Sequence, residues 1–314
     1  MRRYLLRRVI ALVSTLFCVS AVTFLVVNVL PGDPAEIILG TEGSSEVLAA
    51  LRAKLGLDRP LPVQYFEWLK RALSGNLGVS IQYDVPVGRL IANRLLVTFP
   101  LAGIALSLTI LAGIPLGILA ASRHRGPGDV GTMVVSQLGI AIPSFWAGLL
   151  LILLFSVYLG WFPSGGFTPW TEAPMGALRS LLLPALALSF VQTAILARTT
   201  RSAMLEVLRE DYVQTARGKG LSDRLVLYKH ALRNALITIV TLLGLQVGHL
   251  LAGSIIIENV FYLPGLGRLV LGAIGSRDLP VVQGVVLFLA SVIVFVNFAV
   301  DLLYGWLDPR IRYD

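Results

Sequence analysis

Cysteine occurs once, histidine three times, and charged side chains make up only 14% of the 314 residues. The lone thiol, Cys18, excludes a disulfide framework and leaves the redox compartment unmarked. His124, His230 and His249 are scattered and no Cys/His cluster accompanies them, so metal ligation is unsupported. A phosphate-cradling Gly-x4-Gly-Lys-Ser/Thr loop is also missing. The only Gly-Lys step, Gly218-Lys219, is followed by Gly220, and Val213 occupies the earlier glycine position. The chain does not bind ATP in that way. Internal repeats and low-complexity tracts are lacking as well.

What is abundant is hydrocarbon. The hydrophobic fraction is 56%, against roughly 45–50% in soluble domains, where charge runs near 25%. A helix crosses about 30 Å of hydrocarbon with roughly 20 residues. Six runs serve, at Val9–Leu30, Val97–Ala121, Val130–Leu159, Leu181–Arg198, Ala235–Ile257 and Val282–Leu303. Backbone amides in lipid must be satisfied within each segment, so these are helices. The fold class is all-α: a polytopic membrane protein with six transmembrane helices. The first run could imitate a signal peptide, but it is twice the usual length and ends in "NVLPGDPAE" without a small-x-small site. Phe17 directly before Cys18 argues against a lipoprotein site, so an uncleaved anchor is expected.

Charge gives the orientation. Six spans put both termini on one side, and that side carries 16 Lys and Arg against 8 acids, while the other carries 10 of each. The whole net charge of +8 therefore sits on one face, which predicts cytoplasmic termini. Topology and anionic lipid account for the basic balance without nucleic acid.

Between the first two spans, Pro31 to Leu95 forms an external segment with two amphipathic helix signals. One runs from Ser44/Ser45 through Val47, Leu48, Leu51 and Leu55 to a stop at Gly56. The other, "LPVQYFEWLKRAL", places Tyr65, Phe66, Trp68, Leu69 and Leu73 largely along one side. They predict a cap on spans or headgroups, or a docking surface for a soluble partner. In the third span Pro143 lacks an amide proton and should kink the helix. The external loops "LGWFPSGGF" and "FYLPGLGR" carry tight-turn signals.

The segment "EDYVQTARGKGLSDRLVLYKHALRNAL" is polar and basic between two apolar runs. A first helix should end at Gly220 in the left-handed conformation. Ser222 should cap a second helix, with Asp223 in its first turn. A topology-fixing loop explains the charge. It does not explain the small core Thr215-Ala216 ending in glycine, which suits close approach of another protein.

This segment resembles the inner-membrane permease subunits of binding-protein-dependent ABC importers. Their signature is Glu-Ala-Ala, three residues, Gly, nine residues, Ile-x-Leu-Pro. Thr215-Ala216-Arg217 is set at the Glu-Ala-Ala place, Gly220 at the glycine, and His230-Ala231-Leu232-Arg233 at the Ile-x-Leu-Pro place. Thr for Glu and Arg for Pro are similar to the dipeptide/oligopeptide/nickel branch. "LPGDPA", "LGLDRPLPVQY", "GNLGVS", "IPLGILAA", "IPSFW", "WFPSGGF", "IIENVFYLPGLGR" and "DLLYGWLDPRIR" resemble that branch's first, B-type permease, in order and at compatible spacing.

The resemblance implies a type I importer permease of the bacterial inner membrane, not catalytic by itself. Its domains would be residues 1–95 (first span plus external segment), 96–306 (a five-helix core with the coupling loop 203–233) and a cytoplasmic tail, 307–314. No cofactor is expected in this chain, since ATP and magnesium would be bound by partner subunits. The implied partners are a homologous second permease, two cytoplasmic ATPases, an external substrate-binding protein and the bilayer. Tyr212, Thr215, Ala216, Lys219, Gly220 and Leu221 would contact an ATPase. Phe261, Pro264, Gly265 and Gly267 would lie in an external loop near the second permease or the binding protein.

Polar groups inside spans serve packing or a pathway. Gln246 and His249, three residues apart, are expected to line the path, with Pro143 and Phe145 near its gate. The alternative for the former pair is an interhelical hydrogen bond. A short peptide is the expected cargo, with nickel, glutathione or an oligosaccharide as alternatives. A secondary transporter would show mid-membrane ionisable residues or a broken-helix repeat, and neither appears. The Gly-Pro-Gly-Asp at 126–129 matches aspartyl intramembrane proteases, but it lies in a charged loop with no second Asp facing it.

Overall fold

The computed structural model describes residues 2–29, 44–55 and 58–307, and these form helices and their connections. In chain order they are α1 (Arg2–Val29), α2 (Ser45–Leu55), α3 (Leu61–Leu73) and α4 (Val87–Ser122). Then come α5 (Pro127–Ala141), α6 (Ser144–Tyr158), α7 (Pro174–Val207), α8 (Asp211–Gly218), α9 (Asp223–Val260), α10 (Leu266–Gly275) and α11 (Leu279–Leu307).

Among the described residues, five helices are long and apolar enough to cross a membrane unbroken: α1, α4, α7, α9 and α11. The sixth expected span is different. It is two 15-residue helices, α5 and α6, that meet at 99°. The cause is local. Ile142 (φ −88°, ψ 118°) and Pro143 (φ −61°, ψ 139°) are both extended, because proline disfavours helical backbone before it. Pro143 is thus a helix start rather than a kink within one helix. Counted as one broken span, the pair brings the total to six. Pro100, Pro115 and Pro184 lie inside α4 and α7 without breaking them. The long helices also overrun the apolar runs: α4 has 36 residues and α7 has 34.

Small residues let these helices approach. Gly113 faces Leu196, and Gly117 fits against Ala197 and Thr200, which seats α4 on α7. Gly244 admits Val300 where α9 meets α11, and Gly139 lies against Ala194 where α5 meets α7. Without a hydrophobic force between spans in lipid, such close packing holds the bundle. At the end that carries the N-terminus, called here the terminal face, Arg8 pairs with Asp301 at 2.7 Å to tie α1 to α11.

The segment after α1 forms both expected helices. The Val47 amide donates to Ser44 Oγ at 3.4 Å at the start of α2, whereas the expected stop at Gly56 lies outside the described residues. Helix α3 docks on α1 through Tyr65, which is buried between Phe17 and Phe24 and hydrogen-bonded to Ser20 Oγ at 2.7 Å. Phe66 and Leu73 point away from this contact and are exposed, so the apolar set is not one-sided as expected.

Candidate functional site

Helix α8 starts after an extended Glu210, with Asp211 in its first turn and Arg217 in its last, each sign complementing the helix dipole. It stops at a complete Schellman motif. The Gly220 amide donates to Arg217 O (2.9 Å), the Leu221 amide to Ala216 O (3.4 Å), and Gly220 has φ +80°. The left-handed glycine read from the sequence is therefore present. It also corrects the alignment: three residues back from Gly220 the small core is Gln214-Thr215-Ala216, one position earlier than set above.

The turn has two sides. Val213 and Ala216 are buried beneath it, Val213 in an apolar cluster with Met204, Val226 and Ala231. Tyr212, Thr215, Lys219, Gly220 and Leu221 are exposed. Ala216, expected at an outer contact, faces inward because α8 needs a small residue to lie flat on the bundle. Leu225 and Tyr228, three residues apart at the start of α9, are also exposed, a pair not singled out in the sequence. Ser222 takes the cap position of α9 without a side-chain hydrogen bond. The second helix is not separate: it passes through a π-helical turn, Val226–Ala231, and continues as the fifth span. Asn234 Nδ2 donates to Tyr212 Oη at 2.5 Å, so the two stretches "YVQTAR" and "HALRNA" are stitched together.

At the start of α5, Asp129 is almost fully buried. It accepts from Arg201 Nε (2.5 Å) and Nη2 (2.8 Å) and from the Arg125 amide (2.9 Å), with His124 Nδ1 at 3.1 Å. The Gly-Pro-Gly-Asp motif is thus a clamp between α5 and α7.

At the opposite face the turn after α9 is built around Glu258, fully buried and not noticed in the sequence. Its carboxylate accepts from Thr98 Oγ1 (2.7 Å), the Gly267 amide (2.7 Å) and the Arg268 amide (3.3 Å), while Thr98 Oγ1 accepts from the Leu266 amide (2.9 Å). A carboxylate at the start of α10 meets unpaired amides and the positive end of the helix. Gly265 leaves room for that carboxylate, and Gly267 presses on the Ile255 backbone. Phe261 is buried against Gly148, and its carbonyl accepts from the Gly166 amide at 2.9 Å. The Pro264 carbonyl accepts from Arg94 at 3.3 Å. Expected at an outer contact, Phe261, Gly265 and Gly267 are interior here. The outward side chains are Tyr262, at φ +54°, and Arg268, whose guanidinium lies 4.5 Å above the Tyr262 ring. At the far end of α10, buried Asp278 accepts from Ser80 Oγ and the amides of Ile81 and Gln82.

The expected path residues separate. Gln246 is buried and donates to the Gln192 carbonyl at 2.9 Å, an interhelical bond between α9 and α7. Its Oε1 and that of Gln192 have no partner among the described residues. His249, Pro143 and Phe145 are exposed. Gly148 places α6 beside Phe261, about 18 Å along the helix axis from His249.

Comparison with known proteins agrees with this geometry. Residues 113–313 match the family described as binding-protein-dependent transport system inner membrane component, and residues 1–102 match its N-terminal membrane component. The chain is 47% identical to a putative peptide transport system permease protein of Brucella abortus (strain 2308) over 314 residues, all of both chains. It is 43% identical, again over all of both chains, to the glutathione transport system permease protein GsiC of Salmonella typhi. Among solved structures, the inward-facing MetNI methionine ABC transporter matches with a TM-score of 0.58. That match has 18% identity and covers 70% of this chain and 96% of that one, so it speaks to the fold alone.

Proposed function

The chain belongs to the inner-membrane components of binding-protein-dependent transport systems, in the dipeptide/oligopeptide branch of ABC importer permeases, and from that premise we propose that it forms half of a path for short peptides. The observation that carries the mechanism is the exposed, rigidly terminated turn from Tyr212 to Leu221. A Schellman end and the Tyr212–Asn234 bond fix its shape, and its outward side chains are free to enter a cleft on another protein. An ATPase subunit, which would hold ATP and magnesium, is the partner that fits a basic surface at the cytoplasmic face. Both termini lie on that same face, a second permease completes the path, and an external protein delivers the cargo. Because α9 runs unbroken from the turn through the membrane, a push on the turn moves the fifth span as one body.

Peptide is favoured by relatives named for peptide and for glutathione transport, glutathione being itself a small peptide.

The test is Gly220→Val in the assembled importer. A β-branched residue cannot adopt φ +80° without strain. Nothing crowds the Cβ position, so the spans should still assemble. The expected result is normal assembly with ATP hydrolysis no longer driving uptake. Wild-type uptake would remove the coupling role.

A further inference from the structure

Between the start of α5 and the end of α7, on the terminal face, lies an open crevice of about 540 Å³. Arg125 and Arg201 stand at one end, and Val130, Met133 and Val134 form a wall that leads to Gln137. Val130, Val134 and Gln137 fall at i, i+4 and i+7, so they make one stripe running about 10 Å up the helix. Val130 and Val134 are both more than half exposed, as an acyl chain would require.

The charge at the mouth does not cancel. Asp129 is engaged by Arg201, while the Arg125 side chain makes no ion pair among the described residues. Arg125 is also placed rather than free: its backbone is left-handed (φ +62°) and its amide is bonded to Asp129 at 2.9 Å. A cationic mouth opening on an apolar stripe along the span matches the two ends of a phospholipid. Inorganic phosphate would satisfy the mouth and leave the stripe in contact with nothing.

We propose that this crevice binds one anionic phospholipid, its phosphate at Arg125 and Arg201 and one acyl chain on the Val130–Val134 stripe. The bound lipid braces the turn at 122–129, where Arg201 of α7 meets Asp129 of α5. The proposal rests on the functional reading only in placing the lipid in the cytoplasmic leaflet.

The experiment uses the full chain with Cys18→Ser. Native mass spectrometry compares retention of phosphatidylglycerol with phosphatidylcholine of the same chains. Preferential retention is expected, weakened about fivefold by Arg125→Asn, whose asparagine tolerates the left-handed backbone. It should be abolished by Val134→Trp, which fills the stripe. Equal retention of both lipids, or no effect of either variant, overturns the proposal. So does full displacement by inorganic phosphate. A photo-crosslinker at position 134 in native membranes must capture lipid; capture of a second permease instead overturns the proposal as well. Separately, Arg125→Cys labelled only by reagent outside the cell would reverse the orientation and leave the lipid site standing.

Discussion

Helix α9 is bracketed by two turns that close on left-handed residues, Gly220 at one end and Tyr262 at the other. From their motifs both read as contacts with partner proteins. In the structure they are opposites. Around Gly220 the named side chains other than Ala216 point outward, and main-chain bonds with the Tyr212–Asn234 contact hold the shape. Around Tyr262 the named residues are packed inward on a buried carboxylate, and only Tyr262 and Arg268 face out. A distinctive motif therefore marks a geometric demand. Burial decides whether the demand comes from a partner or from the fold itself.

Substitutions can break this contrast. The largest effect is expected for Glu258→Ala, which strands two amides and the Thr98 hydroxyl. A loss of about 3–5 kcal/mol should appear as a much lower unfolding midpoint in detergent, with Glu258→Gln recovering part. An unchanged midpoint would mean the inner turn is not a structural lock. Asp129→Asn comes next at about 2–3 kcal/mol, since Arg201 keeps some access to water. It would show that burial, not the choice of face, sets the cost. Gly267→Ala should cost about 1–3 kcal/mol by overlap with the Ile255 backbone. Thermal melts that match wild type would refute the close packing there. Smallest in stability is Lys219→Ala, within about 0.5 kcal/mol. Its expected signature is weaker ATPase capture in a pull-down, and undiminished capture would take Lys219 out of the contact.

Most of the fold was legible because lipid enforces it. Apolar runs of sufficient length had to be helices, and five of the six form unbroken spans. The left-handed glycine at 220 was legible too, since the chemistry of a helix stop is local. The break at Pro143 was underestimated. Proline forbids a hydrogen bond, but the angle depends on what α5 and α6 pack against, here Ala194 and Phe261, far away in sequence. Glu258 and Asp278 went unread for a related reason, and Asp129 was read only as a residue of a charged loop. Their donors lie up to 198 residues away, and no local pattern announces a buried carboxylate. Ala216 misled in the reverse direction: a small residue suits a partner's approach and the bundle's own surface equally well.

The bend between α5 and α6 also sets an order of events during synthesis. Neither 15-residue half reaches the length that crosses the hydrocarbon alone. The run must therefore enter the bilayer before the surfaces that hold its corner have been made. Ala194 and Phe261 are translated later, and a ribosome adding about 5–20 residues per second needs roughly 6–24 s to go from Pro143 to Phe261. Through that interval the nascent chain carries a corner with nothing to lean on. The fifth span's arrival, not the third's, completes the third.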